Sequence, residues 1–403
     1  MANGEGQGTR ARIDAYPVEF SGSAGEYFRV WIVNVLLTVV TLGLYTPFAR
    51  RRTARWFYGH TVVAGTPLEF TAQQRKMVFG FLLLVGLYIA LEIASRTGQD
   101  TVASVMVLAA AALAPYFWGS AMRFRLNATR WRGVRLQFAA KWGEVYRAFW
   151  PVFAIAAVWI AAFAVIALFA GPQEGAPRRR LAPGNVAPVL GTLLLAVVLS
   201  LVCLIRLEFN TKSLLVRRGR IGGQAGRWKP VFGDFVRIWL ATLGVFIGGV
   251  LVVALAGAAL VGGSVAFLQR AKAPGLGAIL FFITFGFAAI FLLFLASGPA
   301  RAYREARMFR MVWSNIGVSQ VARFRCDLRV GRYVLLRVRN ILLTLLTLGF
   351  FRPFALVSEY RMKSESVTLH VKGSLDQLAG QLAREEEGLG DAIAAAAGLD
   401  LVG

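Results

Sequence analysis

Gly25–Ala49 reads GEYFRVWIVNVLLTVVTLGLYTPFA, and near the other end of the chain Gly331–Ala355 reads GRYVLLRVRNILLTLLTLGFFRPFA. At one constant offset Tyr27/Tyr333, Asn34/Asn340, Thr38/Thr344, Thr41/Thr347, Gly43/Gly349 and Pro47/Pro353 are identical. Apolar composition alone does not copy an asparagine, a Thr-Leu-Gly and a Pro-Phe-Ala in register, so the two stretches read as an internal repeat. Taken alone, the first copy is long enough to cross a bilayer. In the second, Arg337, Arg339 and Arg352 confine the uninterrupted apolar core to Asn340–Phe351, about half of the roughly 20 residues that a span needs. A half-length core closed by glycine and proline predicts, in both copies, a re-entrant or interfacial helix that turns back at Thr-Leu-Gly.

Between the copies lie six apolar blocks: Met77–Ala94, Val102–Ala121, Ala148–Ala170, Val189–Ile205, Ile238–Val261 and Leu276–Ala296. Their length, in a chain of 403 residues that is 57% hydrophobic, is the pattern of membrane spans rather than of a soluble core. Arginine and lysine gather in four of the links, which places those links in the cytoplasm by the positive-inside rule, with both termini on that side if there are six spans and outside if there are eight; the triplet Arg178–Arg180 in another link weakens the asymmetry. The expected fold is mainly α, a polytopic helical membrane bundle of six spans plus the two re-entrant or interfacial repeat helices, the alternative being eight full spans. Small cytoplasmic β-hairpins are expected in the links near 57–71, 124–140, 208–228 and 313–330, where β-formers alternate about glycines such as Gly65 and Gly133. The expected divisions are a polar N-terminal tail and strand (1–24), a single membrane domain (25–372) and an acidic C-terminal tail (373–403). The start lacks an apolar stretch before a cleavage site, so it reads as a tail and not a signal peptide.

The net charge of +24 raises nucleic acid as a partner, but the arginines are spread evenly over the links between apolar blocks, which orientation alone would produce. Arg50, Arg51, Arg52, Arg55, Arg123, Arg125, Arg217, Arg218, Arg323 and Arg325 are therefore read as topogenic charges or as contacts to anionic lipid headgroups. Cys203 and Cys326, with His60 and His370, have no disulfide or metal spacing, and no nucleotide, zinc or nucleophile-elbow motif is present. These features predict no metal, no cofactor and no enzyme.

Asn34, Thr38 and Thr41 fall on one helix face, as do Asn340, Thr344 and Thr347, and Glu92 lies inside an apolar block. Two polar stripes and an intramembrane carboxylate suggest a pathway, so the first functional expectation is a transporter or channel-like protein for a small solute or lipid. The bland alternatives are hydrogen bonding between helices for the stripes and snorkelling toward Ser95 and Arg96 for Glu92. Gly244 and Gly248 form a GxxxG pair read as helix packing. The second expectation is a non-catalytic membrane scaffold whose basic hairpins bind a partner protein or anionic lipid.

Phe20–Gly65, FSGSAGEYFRVWIVNVLLTVVTLGLYTPFARRRTARWFYGHTVVAG, together with NILLTLLTLGFFRPFA at Asn340–Ala355, resembles the YjgN-type family of bacterial inner-membrane proteins, which is classed as a domain of unknown function. The resemblance implies a multi-pass protein of the bacterial inner membrane and brings no catalytic residues with it.

Overall fold

A computed structural model of the chain describes residues 13–169, 183–270, 275–318, 322–372 and 380. The Arg178–Arg180 loop and, residue 380 apart, the acidic tail lie outside them. In chain order the first elements are β1 (Ile13–Phe20), α1 (Ala24–Val40), α2 (Thr46–Gly59), β2 (Thr61–Val63), β3 (Thr66–Phe70) and α3 (Gln74–Arg96). Then come α4 (Asp100–Asn127), β4 (Thr129–Trp131), β5 (Val134–Phe138), α5 (Trp142–Ala148), α6 (Trp150–Phe169), α7 (Val186–Arg218), β6 (Gly219–Ile221) and β7 (Gln224–Arg227). The last are α8 (Phe232–Arg270), α9 (Gly275–Asn315), β8 (Gly317–Val318), β9 (Ala322–Cys326), α10 (Val330–Leu346), α11 (Arg352–Ser364) and β10 (Val367–Lys372).

The two similar stretches fold as helical hairpins. Ser23 and Glu26 open α1 with a capping box, the Ser23 hydroxyl accepting from the Glu26 N–H at 3.2 Å and the Glu26 carboxylate accepting from the Ser23 N–H at 3.4 Å. At its far end the Gly43 N–H donates back to the Thr38 carbonyl at 2.7 Å and the Leu42 N–H to Val39 at 3.1 Å, the bond pair of a Schellman stop. Gly349 bonds Thr344 and Leu348 bonds Leu345 at the same two distances. The left-handed residue that such a stop requires is a leucine in both places, with φ of 48° at Leu42 and 49° at Leu348. Pro47 and Pro353 then sit in the first turns of α2 and α11, where the missing N–H costs nothing.

The strands correct the sequence-based fold. Hairpins do occur, β2–β3 about Ala64-Gly65 and β4–β5 about Arg132-Gly133, each with two positive-φ residues in a two-residue turn. They are not small separate hairpins on a six- or eight-span helical bundle. All ten strands follow one closed antiparallel order, β1-β10-β9-β8-β7-β6-β5-β4-β3-β2. The physical reason is that an isolated hairpin leaves two unpaired edges and is marginal in water. β1, which precedes the first hairpin stretch, pairs with β10, which follows the second, along Ile13–Pro17 against Lys372–Thr368.

The chain divides into two compact units, Met1–Phe70 with Gly233–Leu378 and Thr71–Phe232 with Ala379–Gly403. In the first, one face of the strands packs against helices: Val18, Cys326 and Val367 meet Ala302 and Ala306 of α9 and Tyr333 of α10, while Phe20 meets Tyr27, Trp56 and Tyr360. In the second, Phe138 of β5 packs on Val145, Phe149, Trp118 and Leu214. Leu214 belongs to α7, which runs on through the basic link to Arg218, so the strand expected near 208 begins at Gly219. Among the described residues five helices are long and apolar enough to cross a membrane: α3, α4, α6, α7 and the Phe232–Leu255 part of α8. The block Leu276–Ala296 lies in α9.

Candidate functional site

The polar stripes are spent inside their own hairpins. Thr41 donates its hydroxyl to the Leu37 carbonyl at 2.7 Å and accepts the Tyr45 N–H at 3.0 Å, tying the end of α1 to the start of α2. Thr347 does the same with Leu343 at 2.7 Å and Phe351 at 2.9 Å. Thr38 bonds the Asn34 carbonyl at 2.6 Å. Asn34 is buried and its amide lies 3.5 Å from both the Ala49 carbonyl and the Thr53 hydroxyl of α2. Asn340, 1% exposed, donates to the Ala355 carbonyl at 3.4 Å and to Ser358 and Glu359 of α11 at 3.0 Å each. Both asparagine side-chain carbonyls are buried without a hydrogen-bond partner. The structure thus makes Asn34 with Thr41, and Asn340 with Thr347, ties from the first helix of a hairpin to its turn and second helix, while Thr38 bonds within α1. Glu92 stands apart on α3, half-exposed and paired with Arg96 at 2.6 Å.

Two charged clusters of α9, α10 and α11 escaped sequence reasoning. Glu359, 5% exposed, is held by Arg337 as well as by Asn340. Glu305 accepts from Lys363 at 2.7 Å and from the Tyr333 hydroxyl at 2.9 Å. Burial pushes the Glu305 carboxyl up, but Lys363 and Tyr333 outweigh it and hold the group below its ordinary value. Burial first, and then Glu305 itself, push the Tyr333 hydroxyl up. The only sequence signal was a set of charges on otherwise apolar helices. Their partners lie on different helices, so no spacing rule joins them.

The basic residues take several roles. Arg50, Arg52, Arg55 and Arg125 are exposed, and Arg51 is half-buried. Arg123 donates to the Ala140 carbonyl at 2.6 Å and stacks on Trp142, its guanidinium carbon 3.8 Å from the ring centre. Arg217 bonds its own helix at the Ser213 carbonyl, and Arg218 pairs with Glu144. Gly244 and Gly248 face open space, whereas a Cβ on Gly249 would meet the Ala296 carbonyl of α9 at 3.2 Å.

Arg323 and Arg325 define a surface. On β9 they alternate with buried Ala322 and Cys326, so they lie on the face turned away from the helices. Register puts Arg323 opposite His370 and Arg325 opposite Thr368, with Lys372 farther along β10 on the same face. Asp327, 3.3 Å from Arg325, is a carboxylate at its margin. In the second unit β4 and β5 place Arg130 opposite Arg135, and β6 adds Arg220 opposite Gln137. Like charges directly across a ladder repel. In the first unit the basic residues of this face lie on β9 and β10, while β1 and β3 bring exposed Glu19 and Glu69 to the same side; in the second, β4, β5 and β6 supply arginines.

Apolar helices in this number, joined to a strand layer, define a multi-pass integral membrane protein. The chain belongs to the DUF898 family, described as bacterial proteins of unknown function, which matches it over residues 15–396. It is similar to the inner membrane protein YjgN of Escherichia coli O157:H7, 27% identical over 126 residues, which is 31% of this chain and 32% of that relative. The YjgN of Salmonella typhimurium strain LT2 is 25% identical over 147 residues, 36% of each chain. The matches span about a third of the length of these relatives. No solved structure matches the chain. The family and its relatives agree with a multi-pass location in the bacterial inner membrane.

Proposed function

We propose that the chain is a non-catalytic membrane scaffold whose strand layer holds an acidic segment of a partner protein on its basic face. The observation that carries this reading is the register that puts exposed Arg323, Arg325 and Lys372 on one face of the ladder, with half-buried His370 between them. Arg323 and Arg325, two residues apart on β9, present cations roughly 7 Å apart along the strand with Lys372 on neighbouring β10, which suits an extended acidic peptide. The excess of arginine in the strand-bearing links supports a cytoplasmic position for this layer. The transport reading drew on the polar stripes and Glu92; the hydroxyls of Thr38, Thr41 and Thr347 bond within their own hairpins and Glu92 pairs with Arg96.

The test places a photo-crosslinking residue at Thr368, in the middle of the basic face, and irradiates cells. The expected result is one stoichiometric protein adduct in membranes, lost on Arg323→Glu/Arg325→Glu while the protein itself stays at wild-type level. No adduct from the otherwise wild-type chain, or one indifferent to the charge reversal, overturns the scaffold reading.

A further inference from the structure

Away from the strands, α8, α9 and α10 border an open groove of about 580 Å³, within the ~300–1,000 Å³ range of small-molecule sites. Val334, Leu335 and Val338 of α10 form its apolar wall with Val245 of α8, while Tyr303 and Arg307 of α9 supply its polar end. Val245 lies within the part of α8 that is long and apolar enough to cross a membrane. Leu335 is 72% exposed, a large apolar side chain that nothing among the described residues covers. Arg307 donates from Nε to the Tyr303 hydroxyl at 3.2 Å. Among the described residues no carboxylate pairs with it, and its two terminal amino groups stay available at the mouth of the groove. Glu305, the acid nearest in sequence, is engaged by Lys363 and Tyr333.

We infer that this groove is a site for one anionic phospholipid, with an acyl chain along the α10 wall and the phosphate on Arg307. An apolar trough that ends in a cation has the head-to-tail polarity of a lipid rather than of a soluble metabolite or a second helix. Arginine suits the phosphate because its planar donors engage two oxygens at once. The inference needs only the membrane setting and is independent of the partner proposed for the strand face.

Gly331 provides a clean probe. It lines the groove, and a Cβ built there meets nothing within 4 Å, so a larger side chain fits the fold while filling the trough. The full chain, purified in mild detergent, is titrated with phosphatidylglycerol and with phosphatidylcholine and read by native mass spectrometry. The wild type is expected to retain one phosphatidylglycerol with about tenfold preference over phosphatidylcholine. Arg307→Gln should erase the preference, and Gly331→Leu should weaken both lipids about tenfold with the thermal midpoint unchanged. Arg323→Glu/Arg325→Glu should leave the binding as it was. Equal binding of the two lipids by the wild type, retention unaffected by Gly331→Leu, or loss of phosphatidylglycerol on the strand-face reversal would each overturn the site.

Discussion

Leu42 and Leu348 occupy a backbone conformation that costs a residue with a Cβ about 1–2 kcal/mol. Nothing among the described residues repays it through packing, since the two side chains are 94% and 91% exposed. Sequence alone identified the turn from Thr-Leu-Gly without saying which residue takes the left-handed conformation, whose usual occupant is glycine. In the structure the glycine follows with its own positive φ and the leucine takes the stop. Replacing Leu348 by Gly should therefore raise stability by up to about 1 kcal/mol, relief of strain less the entropy that glycine adds to the unfolded chain. Leu348→Val, which keeps an apolar surface but branches at Cβ, should lose about 1 kcal/mol. Denaturant unfolding in detergent micelles reads both, and equal shifts would refute the assignment of strain.

The paired hairpins use different chemistry at matching positions. Thr53 of α2 receives the Asn34 amide where Glu359 of α11 receives that of Asn340, and Trp31 stands where Arg337 stands. The second hairpin thus carries a buried ion pair that the first lacks. Arg337→Trp alone should cost roughly 3–5 kcal/mol, because it leaves a buried carboxylate without its cation. The double variant Arg337→Trp/Glu359→Thr recreates the first hairpin's residues and should recover at least about 1 kcal/mol of that loss. A double-mutant cycle in thermal unfolding checks the sign, and additive losses would mean that the pair is not coupled. The asparagine was legible as a helix-to-helix tie because it recurs with its threonines. The ion pair was not, since Arg337 read only as an interruption of an apolar stretch.

At the scale of the whole molecule, apolar blocks announced the membrane class through length alone, and alternation about glycines announced local hairpins. Closure of the strands was invisible because it depends on β1 meeting β10, a pairing between opposite ends of the chain for which no local pattern exists. The extent of α7 was misjudged for a related reason: packing of Leu214 against Phe138 and Val145 overrides the strand-forming sequence beside it. Ala15 lies directly opposite His370 in the β1–β10 ladder. With Cys203 and Cys326 replaced by alanine, Ala15→Cys/His370→Cys should oxidise to a monomeric cross-link that changes gel mobility and reverts on reduction. Persistently free thiols after mild oxidation would refute that register.

The pairing of β1 with β10 also fixes an order of events at the ribosome. β1 emerges early and gains β2 on one side within seconds, yet its other edge waits for Lys372. At roughly 5–20 residues per second that delay is on the order of 20–70 s, while the intervening apolar helices are entering the bilayer. During this interval the nascent chain displays an open strand edge at the membrane surface. Biogenesis of this protein should accordingly depend on whatever shields that edge until the last strand arrives.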